Sequence, residues 1–144
     1  MKIQEKRKTA TIQNKEKRIE ICEEVDIAEA VSEALVSAKT AGFSLTRQYM
    51  VAIAVSELAT NIRNYAGKGE ITIRALERET EKGIEIVAED SGPGISDVEA
   101  GMQDGFTTSD GMGLGLPGVK RLMDEFVIET EPGAGTRITA RKWN

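Results

Sequence analysis

The sequence predicts an α/β fold, a two-layer sandwich with a mixed sheet and helices on one face. Three observations predict it. The apolar period is helical from Ile27 to Gly67 and switches to two from Glu70 onward. The order of elements reads strand, helix, helix, hairpin, loop, helix, hairpin, which suits helices laid on a largely antiparallel or mixed sheet. Two glycine-rich turns, Asp90-Ser91-Gly92-Pro93-Gly94-Ile95 and Gly111-Met112-Gly113-Leu114-Gly115-Leu116, enclose a loop of about fifteen residues between a strand and a helix.

Residues 1–16 form a polar N-terminal extension with room for an edge strand, and 17–144 form the domain. Arg18 to Glu24 alternates and reads as a strand. Asp26 and Glu29 have the spacing of a capping box, opening a helix to Thr40 with Ile27, Val31, Ala34, Leu35 and Ala38 inward. Ser44 or Thr46 caps a second helix that runs to Ala66. Its apolar residues, Tyr49, Ala52, Ile53, Val55, Leu58, Ala59 and Ile62, cover more than one face and predict deep burial. Glu70–Leu76 and Ile84–Glu89 make a hairpin, Val119–Asp124 a helix, and Phe126–Thr130 with Thr136–Lys142 a second hairpin.

Composition narrows the chemistry. The 144 residues suit one domain, and the net charge of −5 with interspersed signs gives no nucleic-acid footprint. No apolar run is long enough for a bilayer, and no signal peptide is visible, so no membrane and a cytoplasmic location are expected. Cys22 is the single cysteine, read as a small buried residue on a strand in a reducing compartment. There is no histidine. Serine–histidine and cysteine–histidine catalysis, histidine-ligated zinc and a phosphohistidine within this chain are thereby excluded. Carboxylate, amide, hydroxyl, lysine, arginine and backbone groups remain, and these bind magnesium and phosphates.

Glu57 and Asn61 lie four apart on one helix face, with Asn64 three further on. They are either a polar stripe at the solvent edge or a site. In the second case Asn61 offers its side-chain oxygen to Mg2+ and Glu57 acts as a base on a nearby water or hydroxyl. Asp90 ends a strand. It is either a turn-starting residue or the acceptor for an exocyclic amine such as that of adenine. Thr136 is a β-former whose hydroxyl can support the same pocket. The hydroxyls around Thr107 and Thr108 make either a surface loop or a lid over nucleotide. Lys120, read in the first turn of a helix, is surface charge or a phosphate contact.

Together these residues resemble the GHKL superfamily of ATPases and kinases. Glu57-Leu58-Ala59-Thr60-Asn61 looks like its N-box, Asp90 to Ile95 its G1 box, Gly111 to Leu116 its G2 box, and Gly135-Thr136 its short final motif. Three motifs in register over nearly the whole chain are far more specific than one glycine turn. Within the superfamily, Asn61 to Gly69, Ile86 to Ile95 and Gly115 to Phe126 resemble the bacterial anti-sigma regulatory serine kinases, most of all the stressosome switch kinases. Tyr65, where kinases that hold sigma factors often have histidine, favours the switch group. The resemblance implies a Bergerat fold and a cytoplasmic serine/threonine kinase of a stress-response pathway. ATP would be held by Asn61, Asn64, Asp90, Gly92, Gly94, Ile95, Thr107, Thr108, Gly111, Gly113, Leu114, Gly115, Leu116, Lys120 and Thr136, with Mg2+ on Asn61 and Glu57 catalytic. Implied partners are a STAS-domain antagonist as substrate and a PP2C-type phosphatase activated by released kinase; a homodimer is compatible. A factor that sequesters a sigma subunit and a non-catalytic ATP-gated binding module are the alternatives.

Overall fold

The computed structural model describes residues 2–4, 11–94 and 115–144. In chain order the elements are β1 (Lys2–Gln4), β2 (Thr11–Ile21), α1 (Glu24–Thr40), α2 (Leu45–Asn61), a π-helical turn (Ile62–Ala66), β3 (Gly69–Arg78) and β4 (Glu81–Asp90). After the undescribed stretch come α3 (Gly115–Leu122), β5 (Glu125–Glu131) and β6 (Gly135–Trp143). The strands form one six-stranded sheet in the order β1-β5-β6-β4-β3-β2. The α/β sandwich is as expected, but every pairing among the described strands is antiparallel rather than mixed. Both hairpins form as expected. The polar extension supplies backbone to both edges of the sheet, through β1 on β5 and the first residues of β2 on β3.

The pleat sorts the side chains. Ile19, Ile71, Ile73, Ile86, Ala88, Ile138, Ala140, Phe126 and Ile128 share one face through the registers Ile19↔Ile71↔Ala88↔Ile138↔Ile128 and Ile73↔Ile86↔Ala140↔Phe126. They form a single core with α1, α2 and α3. Each fully buried isoleucine contributes about 1.5–3 kcal/mol relative to exposure. The opposite face carries a charge network. Glu85, 3% exposed, accepts from Arg74 at 3.0 Å and from Arg141 at 2.8 Å. Trp143 Nε1 donates to Glu125 at 2.6 Å, and Arg78 lies over the Trp143 ring.

Several boundaries differ from the sequence reading, each for a local reason. Helix α1 starts before Asp26, which is its third residue and whose carboxylate accepts from the N–H groups of Cys22 and Glu23 at 2.9 and 2.8 Å. The box is therefore Glu23 with Asp26, not Asp26 with Glu29. Cys22 falls in the bend between strand and helix and is exposed, not buried. The inner stripe of α1 is Ala30, Ala34 and Ala38, with Ile27 and Val31 packed at its margin. Ser44, not Thr46, caps α2 by accepting from Arg47 N–H. Tyr49, read as an inner residue of α2, is 54% exposed. Helix α3 already includes Gly115, four residues before the position expected from its apolar pattern, and ends at Leu122.

Candidate active site

Helix α2 delivers the first group. Its apolar faces hold Val51, Ala54, Val55, Leu58 and Ala59 in the core, and Glu57 is carried in with them at 6% exposure. A carboxylate taken out of water resists ionisation. Burial accordingly raises the Glu57 pKa above its ordinary 4.5, and a hydrogen bond from the Gly115 N–H opposes that rise. Gly115, where the described part of α3 begins, has φ +57. No lysine or arginine pairs with Glu57 among the described residues.

One turn on, Asn61 is the last residue of α2 and is partly buried. There the α-helix gives way to the π-helical turn. The wider turn breaks the three-and-four spacing that would have set Asn64 beside Glu57 and Asn61, and Asn64 is exposed. The turn ends at Gly67, φ +84, and returns the chain to β3.

The strand ends deliver the second set. Asp90 closes β4 and pairs with Thr136 on β6 and Gly69 on β3. Its Oδ1 accepts from Gly92 N–H at 2.9 Å, so it does begin a turn, and this leaves Oδ2 for another donor. That turn is clamped on three sides. A Cβ on Gly92 would lie 2.6 Å from Ala66 Cβ, one on Gly94 2.4 Å from Glu131 O, and one on Gly135 2.2 Å from Asp90 O. Gly133 N–H also donates to Pro93 O at 2.7 Å. Close backbone approach, more than freedom of φ, explains these glycines. Thr136 Oγ1 lies 3.0 Å from Thr130 Oγ1, which in turn donates to Gly135 O at 3.1 Å. Thr130 is a buried part of this corner that the alternation of β5 had marked only as a strand residue. A groove of about 580 Å³ opens beside it, lined by Asp90, Ser91, Thr130, Glu131, Gly135 and Thr136 among others.

Two of the sequence candidates sit differently from their reading. Leu116 is 7% exposed and belongs to the core, so it anchors α3 from within. Lys120 is in the last turn of α3, not the first, because the helix starts earlier. The helix dipole therefore gives no reason to place a phosphate beside it. Ile95, Thr107, Thr108, Gly111, Gly113 and Leu114, and with them the expected lid, lie outside the described residues. Among the described residues no group of three or more carboxylates or thiols could cage a metal. The oxygen donor of Asn61 fits the other mode, in which a hard cation takes one amide and completes its shell with phosphate oxygens and water.

Residues 19–142 match the model of the histidine kinase-like ATPase domain. The chain is 48% identical over 130 residues to the serine/threonine-protein kinase RsbT of Bacillus subtilis, covering 90% of this chain and 98% of that one. It is 42% identical over 96 residues to an anti-sigma F factor of Caldanaerobacter subterraneus, covering 62% of this chain and 66% of that one. Among solved structures, the mycobacterial sensor histidine kinase MprB superposes with a TM-score of 0.52 at 19% identity over 88% of this chain and 96% of that one, which shows a shared fold. The chain belongs to the histidine kinase-like ATPase domain family and, within it, to the group of the RsbT-type serine/threonine kinases.

Proposed function

We propose that this chain transfers the γ-phosphoryl group of ATP to a serine or threonine hydroxyl of a STAS-domain antagonist, and that the released kinase binds and activates a PP2C-type phosphatase. The observation that carries the reading is Glu57, a buried carboxylate with a raised pKa, one helical turn from Asn61 in a chain that aligns with nearly all of RsbT. In the proposed step Glu57 takes the proton of the attacking hydroxyl as its oxygen bonds to the γ-phosphorus. The bond from that phosphorus to the β–γ bridging oxygen breaks, and ADP leaves with the electron pair. Asp90 receives the adenine amine on the oxygen not used by Gly92, and Thr136 and Thr130 line that end of the pocket. Asn61 would hold Mg2+, which when bound neutralises charge on the phosphates. Phosphoryl transfer depends mainly on positioning and charge, so this small set of groups suffices.

The likeness to anti-sigma F factors supports a second reading, direct sequestration of a sigma subunit. It spans a smaller share of both chains than the likeness to RsbT. Single-turnover transfer from labelled ATP to a STAS protein tests the first reading. Glu57→Ala should retain ATP and STAS binding and lose roughly 10²–10⁴ in rate. Transfer at the wild-type rate removes Glu57 as the base. Wild-type chain that binds a sigma subunit but phosphorylates no STAS protein favours the second reading.

A further inference from the structure

The π-helical turn after Asn61 has two sides. Ile62 and Ala66 form the inner one. Ile62 is buried, and its Cγ2 lies 2.8 Å from where a Cβ on Gly69 would be. Ala66 Cβ lies 2.6 Å from the would-be Cβ of Gly92. The turn is thereby wedged between the start of β3 and the Asp90 turn. Arg63, Asn64 and Tyr65 form the outer side, three consecutive exposed residues. Turns of this type are frequent at functional sites. This one shows its side chains from a backbone already held still, so little backbone ordering opposes a contact made there.

Arg63 is the unanswered charge at this end of the molecule. Arg18, Arg47, Arg74, Arg78, Arg137 and Arg141 are each tied to a carboxylate or a carbonyl. Arg63 has no hydrogen bond or ion pair among the described residues. Residues 58–69 hold Arg63 and Lys68 and no acid, in a chain with 24 acids against 19 bases. The flanking carboxylates are turned elsewhere. Glu57 is buried, and Glu70 lies in register with Glu20 and Glu89 on the face of the sheet away from the helices.

We infer that Arg63, with Lys68 as a second positive charge, receives a carboxylate of the protein substrate that lies beside its acceptor hydroxyl. The inference rests on the reading above, in which that hydroxyl is presented to Glu57 next to Asn61. Arg63 is two residues beyond Asn61 but on the outside of the turn, so it serves an approaching protein surface and not the pocket at Asp90. A guanidinium is a planar fork that takes a carboxylate through two parallel hydrogen bonds, which fix direction as well as distance. Arg63 is therefore a positioning residue. It selects an acceptor serine or threonine with aspartate or glutamate close by, and it aligns that hydroxyl before transfer.

The test titrates wild type, Arg63→Ala, Arg63→Glu and Lys82→Glu with an unphosphorylated STAS protein by calorimetry, and follows single-turnover transfer over a range of STAS concentrations. Lys82 is exposed at the far end of the β3–β4 hairpin, so Lys82→Glu makes the same change of charge away from the site. STAS affinity should fall about fivefold in Arg63→Ala and roughly tenfold or more in Arg63→Glu, and hold in Lys82→Glu. ATP affinity and the transfer rate at saturating STAS protein should not change. Added salt should weaken wild-type binding more steeply than that of Arg63→Ala. With Arg63 replaced by p-benzoylphenylalanine, photocrosslinking locates the facing acid, and lysine in its place should restore binding to Arg63→Glu. Equal STAS affinity in wild type and Arg63→Glu overturns the inference. So does an equal loss in Lys82→Glu, which makes the effect one of net charge, or a loss of ATP affinity in Arg63→Glu, which gives the guanidinium to the nucleotide. Failure of the kinase reading looks different: the STAS protein binds through Arg63 and receives no phosphoryl group. A STAS protein that does not bind wild type overturns both.

Discussion

Replacing Gly135 with alanine isolates the role of the close approach between β6 and the Asp90 turn. The new Cβ would lie 2.2 Å from Asp90 O and 2.9 Å from Ser91 Cα. Ordinary carbon–oxygen contacts fall near ~3.3–3.6 Å, so the strands must part by about an ångström. Overpacking of that kind costs roughly 1–3 kcal/mol. The residue also has φ +106, where a side chain adds about 1–3 kcal/mol of strain. The expected loss is therefore about 2–6 kcal/mol. Gly133 supplies the control, because it has φ +83 and nothing within 4 Å of its would-be Cβ. Gly133→Ala should lose the backbone strain alone. Urea denaturation at matched m-values measures both. The two variants should differ by the overpacking cost, and only Gly135→Ala should also weaken ATP binding in its folded fraction, because the displaced backbone is that of Asp90. Equal losses in the two variants, with equal ATP affinity, would refute the argument that Gly135 is required by contact.

Three further outcomes are expected. Glu57 is harder to ionise in the folded chain, so its contribution to stability is present below pH 4.5 and is lost as pH rises through the elevated folded value; Glu57→Gln should flatten that decline, and the phosphotransfer rate of wild type should rise with pH through an apparent pKa above 4.5. Glu85→Ala removes the carboxylate that Arg74 and Arg141 share while leaving them Glu16 and Glu125, and should cost about 1.5–3 kcal/mol by denaturant midpoint, with Glu85→Gln costing less. Asp26, whose carboxylate is held below its ordinary 3.8 by the N–H groups of Glu23 and Cys22, stabilises the chain at neutral pH; Asp26→Ala should lower the melting temperature there, the difference fading as pH falls below 3.8 and through the folded value.

Much of the fold was legible because its determinants are local. The alternation of Ile71, Ile73, Ile84 and Ile86 marks two strands of a hairpin, and Ser44 and Gly42 punctuate the helices. What could not be read depends on partners distant in sequence. The antiparallel insertion of β6 between β5 and β4 is settled by pairing over many residues, as in Asp90 with Thr136. Tyr49 is exposed because helical periodicity alone does not tell which side of a two-layer sandwich is outermost. In the candidate site, Glu57, Asn61 and Asp90 were singled out by residue type and spacing alone. The hydroxyl of Thr130 was hidden in a strand of otherwise ordinary alternation. The start of α3 was missed because glycines and Pro117 mask a helix whose burial rests on Leu116 and Val119. The π-helical turn has no sequence code that separates Ile62–Ala66 from one more α-turn, so the exposure of Asn64 could not be foreseen.

The placement of β1 sets an order of assembly. Lys2 pairs with Glu129, and Gln4 with Val127, so β1 waits for a strand far along the chain. Pairing across so long a stretch of chain is slow, because the loop must close before the ladder gains anything. On the ribosome the hairpin of β3 and β4 and the helix pair α1 and α2 can form early, whereas β5 emerges with its outer edge open. An open edge invites another chain. The three-residue β1 is then the cover of that edge, and removing Lys2–Gln4 should be felt first as aggregation during folding rather than as a loss of the finished fold.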